Sequence, residues 1–113
     1  THDNDTTVGF WHAAAPHVRH HVQRYLRVSG HDIAWDFIHA AFESCAKIAI
    51  IPMQDILSLG TEARMNNPAT IRGNWRFSLH GDVFRRETAA HLRELAELYG
   101  RQAKRPEPAG KAK

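Results

Sequence analysis

The run Lys47-Ile48-Ala49-Ile50-Ile51, closed by Pro52, constrains this chain more than any other feature. A short, continuous apolar stretch rich in β-branched residues predicts a strand buried on both faces, as in a parallel sheet with helices outside. Such a strand needs parallel neighbours, because its backbone N–H and C=O groups must pair with other strands. No other part of the sequence reads convincingly as a strand, although the first residues can form the tail of one. The chain asks for a sheet that it does not itself contain, which predicts a piece of a larger fold.

The remaining periodicity is helical. A first helix is predicted from Pro16 onward, with Val18, Val22, Tyr25 and Leu26 at helical spacing and Ser29-Gly30 as the stop. Asp32 can cap a second helix, whose apolar stripe comprises Ile33, Phe37, Ile38, Ala41, Phe42 and Cys45. Residues 84–99 form the clearest helix, with Leu92 and Leu95 on one face and Gly100 as a stop. Residues 1–9 read as a polar loop ending in Gly9. Residues 53–75 read as a long connection with turn signals at Gly60, Asn66-Asn67-Pro68 and Gly73-Asn74, and 76–82 as a short extended piece. This order predicts an α/β fold, mostly helical in this segment: the C-terminal part of a (β/α)₈ barrel, comprising the end of strand seven, helix seven, strand eight and helix eight. Loops at the carboxyl ends of barrel strands carry that fold's chemistry. "THDNDT" and "QDILSLGTEARMNNP" would be two such loops.

Composition excludes several classes. At 113 residues and 42% hydrophobic, the chain suits one globular unit with a modest core. No apolar run approaches the roughly eighteen residues of a membrane span, and no signal-peptide pattern is present. Cys45 is the only cysteine, which excludes disulfides and thiolate metal clusters and favours a reducing compartment. The net charge of +3 invites a nucleic-acid reading, but residues 101–113 hold five of the fifteen Lys and Arg against one acid. That proline-bearing segment reads as a disordered basic tail. The folded body is close to neutral, without the clustered basic face that nucleic-acid binding needs.

Tempting site patterns fail on spacing. Asp3, Asp5 and Thr7 match the first positions of a calcium loop, but Val8 stands where that loop needs glycine and Ala14 where it needs glutamate. His17 and His21 are four apart on one helix face without a third ligand, and read as exposed histidines rather than a zinc site. Cys45 reads as core. From composition alone, Asp3 is a loop aspartate making a local turn.

Two long blocks change the odds. "THDNDTTVGFW" and "AIIPMQDILSLGTEARMNNPAT", the latter followed by "GNWRFSL" and a helix ending near "LYG", resemble the 4-α-glucanotransferases, the amylomaltase or disproportionating-enzyme family of the α-amylase clan. The resemblance covers residues 1 to about 101, leaving 102–113 as the tail. It implies a (β/α)₈ catalytic barrel of which residues 1–101 are the C-terminal portion, with the rest lying on the N-terminal side. On that reading "THDNDT" stands first because the chain starts just upstream of an active-site motif.

The resemblance further implies a retaining transglycosylase. An aspartate attacks the anomeric carbon of an α-1,4-glucan, and a glutamate protonates the leaving oxygen and then activates an incoming 4-hydroxyl of glucose or another glucan. Both residues lie on earlier strands, so this chain by itself is expected to be inactive. Asp3 matches the family's third carboxylate, a transition-state stabiliser, and His2 the neighbouring substrate-binding histidine. Asn66 matches a loop asparagine expected near the bound sugar, although an Asn before Asn-Pro can simply build a turn. Asp5, Gln54, Asp55, Glu62 and Arg64 read as loop-bracing residues. The Pro68-Ala69 pair departs from the family, where glycine often follows the proline.

Neither metal nor organic cofactor is implied. The partners implied are α-1,4-glucans and glucose, with no nucleic acid and no membrane, in the cytoplasm or in a plastid if the source is a plant or alga. The competing reading is a self-standing helical interaction module or weak nucleic-acid-binding module with a basic tail.

Overall fold

The computed structural model describes residues 3–103. Five α-helices occur in that span: α1 (Thr7–Ala13), α2 (Pro16–Leu26), α3 (Ile33–Glu43), α4 (Met53–Ile56) and α5 (Arg86–Leu98). Short 3₁₀ turns occur at Thr61–Ala63 and Gly81–Val83.

Helix α1 corrects the expectation of a loop over residues 1–9. Thr6, in extended conformation, is its N-cap, and the Thr6 hydroxyl accepts the Gly9 N–H at 3.0 Å. That bond satisfies one of the orphan donors at a helix start. Gly9 is inside the helix for lack of space, not as a turn residue. A Cβ there would lie 2.6 Å from Asp5 Oδ1 and closer still to Thr61 Oγ1.

Helix α2 begins at Pro16 as the sequence predicts, but ends before Ser29-Gly30. Arg27 takes the left-handed conformation, φ 57° and ψ 46°, and the Val28 N–H closes the end on the Gln23 carbonyl at 3.1 Å. Gly30, at φ 86°, then turns the chain beneath Trp11, whose ring occupies the space a side chain would need.

Helix α3 is the hub, packing on α1, α4 and α5. Ile33 and Ile38 are buried along it, as their spacing predicts, with Ala34 beside them, and Leu95 of α5 and Ala63 complete the buried apolar set. Phe37 meets Phe10 of α1 edge-on at 6.2 Å. On another side, Trp35 stacks on His91 of α5 at 4.1 Å with the rings 9° apart, and His39 meets the same histidine at 5.6 Å. Asp32 holds the N-cap position of α3 but makes no side-chain cap bond. Its backbone, at φ −125° and ψ 61°, lies outside the extended region from which a capping side chain reaches back.

Cys45 is exposed, not core. The helix stops at Glu43 because Ser44 turns to an extended conformation, so Cys45 falls outside the periodicity that would have buried it. Arg101 secures that end. Its Nε donates to the Phe42 carbonyl at 2.8 Å, and its Nη2 donates to the carbonyls of Ser44 at 3.0 Å and Ala46 at 2.8 Å. A guanidinium on the last carbonyls of a helix satisfies orphan acceptors and complements the helix dipole. Arg101 therefore belongs to the folded body rather than to the tail that composition began there. The reading of 102–113 as disordered lies outside the described residues apart from Gln102 and Ala103.

The predicted strand does not form. Residues 47–51 carry no strand pairing, and no strand occurs among the described residues. Ile48 and Ile50 are 77% and 85% exposed. Strand structure consists of hydrogen bonds to a neighbour, and among the described residues these have no strand partner to bond. The expected extended piece at 76–82 likewise has no pairing and ends in the Gly81–Val83 turn. Among the described residues, no helix is long and apolar enough to cross a membrane.

Candidate active site

Residues 3–9 and 54–67 meet at one end of the fold through side chains that bridge the two stretches. Asp55 receives the Thr7 N–H on Oδ1 at 2.8 Å and the Thr7 hydroxyl on Oδ2 at 2.9 Å, a charge-assisted cap supplied to α1 from 48 residues away. Asp5 accepts the Thr6 N–H at 2.7 Å and the Thr61 hydroxyl at 2.9 Å. Within the second stretch, Gln54 Nε2 donates to the Ala63 carbonyl at 3.3 Å, and Glu62 Oε1 accepts the Gly60 N–H at 3.1 Å. Arg64 joins the two stretches again: Nη2 donates to the Asp3 carbonyl at 2.8 Å and Nε to the Asn66 carbonyl at 2.9 Å. All five residues read from the sequence as loop braces make bracing bonds.

The Asn66 side-chain amide donates to Asp3 Oδ1 at 2.6 Å. Two of the three candidate site residues are thus in direct contact across 63 positions of sequence. The third, His2, lies outside the described residues.

The geometry also separates the two asparagines of "RMNNP". Asn67 builds the turn: its Oδ1 accepts the Ala69 N–H at 3.1 Å, and its carbonyl accepts the Thr70 N–H at 3.0 Å. Asn66 points its amide at Asp3 instead. Sequence reasoning missed Asn74, which pins this loop from below. Asn74 Oδ1 accepts the Asn67 N–H at 2.8 Å, and next to it the Trp75 N–H meets the Met65 carbonyl at 2.6 Å. The Gly73-Asn74 pair had signalled a turn; that Asn74 reaches back across seven residues has no local signature.

Beside Asp3 runs an open groove of about 740 Å³, with Asp3, Asn4 and Arg64 on its polar side and Phe10 and Phe37 on its apolar side. A larger hollow of about 900 Å³ lies elsewhere, under Ile48, Ile51, Leu92 and Tyr99, and contains none of the candidate residues. We take the first as the site because Asp3 lines it, together with Arg64 and the rings of Phe10 and Phe37. A carboxylate supplies acceptors and an amide supplies both kinds of group, so Asp3 and Asn66 can read neighbouring hydroxyls. His17 and His21 are exposed on α2. Among the described residues, no group of three or more His, Cys, Asp or Glu could hold a metal ion.

Comparison with known proteins shows which family the chain belongs to. The chain is 48% identical over 105 residues to a chloroplastic/amyloplastic 4-alpha-glucanotransferase of Arabidopsis thaliana, covering 89% of this chain and 18% of that protein. It is 41% identical over 103 residues to the 4-alpha-glucanotransferase of Thermus thermophilus, covering 86% of this chain and 21% of the relative. Among solved structures, it matches an amylomaltase from Streptococcus agalactiae in complex with acarbose with a TM-score of 0.85 at 25% identity. That match covers 91% of this chain and 21% of the amylomaltase chain. The chain thus spans about a fifth of the length of these relatives. A family model described as 4-alpha-glucanotransferase matches residues 1–84, and the chain belongs to that family.

Proposed function

We propose that this chain is the C-terminal part of the catalytic barrel of a 4-α-glucanotransferase, which transfers α-1,4-glucan segments to glucose or another α-1,4-glucan by retaining double displacement. The Asp3–Asn66 contact at 2.6 Å, in a chain of this family, carries the reading. Residues 3–5 then end strand seven, α1 to α3 occupy the place of helix seven, residues 47–51 supply strand eight, and α5 is helix eight. The bare Ile48 and Ile50 side chains, two apart and so on one face of such a strand, suit a face covered by the rest of the barrel. The similar amylomaltase in complex with acarbose supports a saccharide ligand, and we place a glucan in the groove beside Asp3. Family membership counts against the self-standing interaction or nucleic-acid module.

The nucleophile and the acid/base lie on parts of the barrel before Thr1. Asp3 is the third carboxylate. Held by the Asn66 amide, it accepts hydrogen bonds from ring hydroxyls and favours the flattened, oxocarbenium-like sugar through its negative charge. Asn66 fixes the carboxylate rotamer and contacts the sugar beside it, and His2 donates to a hydroxyl of the same ring. The wall of Phe10 and Phe37 suits the apolar face of a pyranose. We place the enzyme in the cytoplasm, or in a plastid as the Arabidopsis relative's designation supports.

The test is Asp3→Asn in the full-length enzyme. The substitution keeps the shape, removes the charge and turns an amide hydrogen toward groups that expect an acceptor. Loss of one well-placed electrostatic partner costs about a hundredfold in turnover. Because the loss lies in the transition state, kcat should fall far more than glucan affinity weakens. His2→Ala, which removes one hydroxyl contact, should be milder. Near-wild-type kcat in a folded Asp3→Asn enzyme would make Asp3 a loop residue.

A further inference from the structure

Resting on the assignment of Asp3 as the transition-state carboxylate, we propose that Arg64 is a positioning residue for glucan transfer: one guanidinium holds the backbone at Asp3 and the backbone at Asn66 together, and so sets the Asn66 amide against the Asp3 carboxylate. The arginine forks. Nη2 reaches the Asp3 carbonyl at 2.8 Å and Nε the Asn66 carbonyl at 2.9 Å, while the side chains of the two residues it grips meet at 2.6 Å. These bonds close a ring in which a rigid planar group defines the separation of the two loops.

The other bridges between the stretches act differently. Asp5 holds Thr61 and Asp55 holds Thr7, so they brace the loops next to α1. Arg64 grips the two residues whose side chains would face the sugar. It also lines the groove beside Asp3. Arginine suits the task because its donors project in one plane at fixed angles, whereas a lysine ammonium is a point donor on a flexible stem. Lysine's three donors radiate from one nitrogen and cannot reproduce the fixed spacing of Nε and Nη2. Precision of this kind bears on rate, since a misplacement of about 1 Å can cost on the order of a hundredfold in catalysis.

The test uses the full-length enzyme with maltotriose as substrate. Arg64→Lys, which keeps the charge, should lower kcat by about tenfold or more, with KM changing by less than about threefold and thermal stability close to wild type. Arg64→Ala should fall further and regain part of its kcat when guanidinium chloride is added at millimolar concentration. In a double-mutant cycle, Asn66→Ala should cost far less in the Arg64→Lys background than in the wild type, because the contact it removes is already misplaced. If Arg64→Ala does not fold, the lysine variant and its cycle decide the matter.

Wild-type kcat in Arg64→Lys, or additive effects in the cycle, would overturn the positioning role. These results are distinct from failure of the underlying assignment, which Asp3→Asn reports: an Asp3→Asn enzyme crippled beside an active Arg64→Lys enzyme refutes only the role of Arg64. An active Asp3→Asn enzyme refutes the site, and the positioning role with it.

Discussion

Gly9 shows how one residue can serve two loops at once. It lies in a helix, where glycine costs about 1 kcal/mol relative to alanine, and its missing side chain leaves room for the Asp5–Thr61 hydrogen bond. Gly9→Ala would gain that propensity but push apart two short side chains that have little freedom to yield. Overpacking of this kind costs about 1–3 kcal/mol, so the enzyme should be net destabilised, by about 1 kcal/mol, as denaturant titration would measure. Equal or greater stability would mean that the two loops yield easily. The two asparagines make a related point. Side by side in "RMNNP" they are chemically alike, and turn chemistry suits either. Only the fold gives Asn67 to the Ala69 N–H and Asn66 to a carboxylate 63 residues away.

Helices and strands differ in how much of their bonding is local. The spacing of Val18, Val22 and Leu26, of Ile33, Phe37 and Ile38, and of Leu92 and Leu95 foretold α2, α3 and α5, because a helix bonds to itself four residues on. Their ends were less legible. Helix α3 is finished by Arg101 from the far end of the chain, and α1 is capped by Asp55. The run 47–51 is the opposite case, a strand by composition that lacks the neighbours it would bond. In the full-length enzyme we expect the amides of Ile48 and Ile50 to be protected from hydrogen exchange, and in the 113-residue chain alone to exchange freely. Equal exchange in both would remove residues 47–51 from the sheet.

For the molecule as a whole, division of labour along the chain determines what this part can do. On the proposed assignment, residues 1–113 supply a carboxylate that stabilises and an amide that orients, while the nucleophile and acid/base belong to other strands of the barrel. The purified 113-residue chain should therefore produce no glucose from maltotriose, measured by a coupled glucose assay. Glucose release free of contaminating enzyme would show that the carboxylate roles are misassigned.

What the sequence determined by itself was whatever depends on neighbours within a few residues: three of the five helices among the described residues, the buried faces around Ile33, Ile38 and Leu95, a turn somewhere in Asn66-Asn67-Pro68, and, through two long blocks, the family. The tertiary structure alone decided which polar side chains meet. Contacts such as Asn66 with Asp3, Arg64 with the Asp3 carbonyl, Asp55 with Thr7 and Arg101 with the end of α3 span tens of residues and leave no periodic trace. A hydrogen bond between distant residues depends on where packing brings the backbone. Chain order does not encode that position locally.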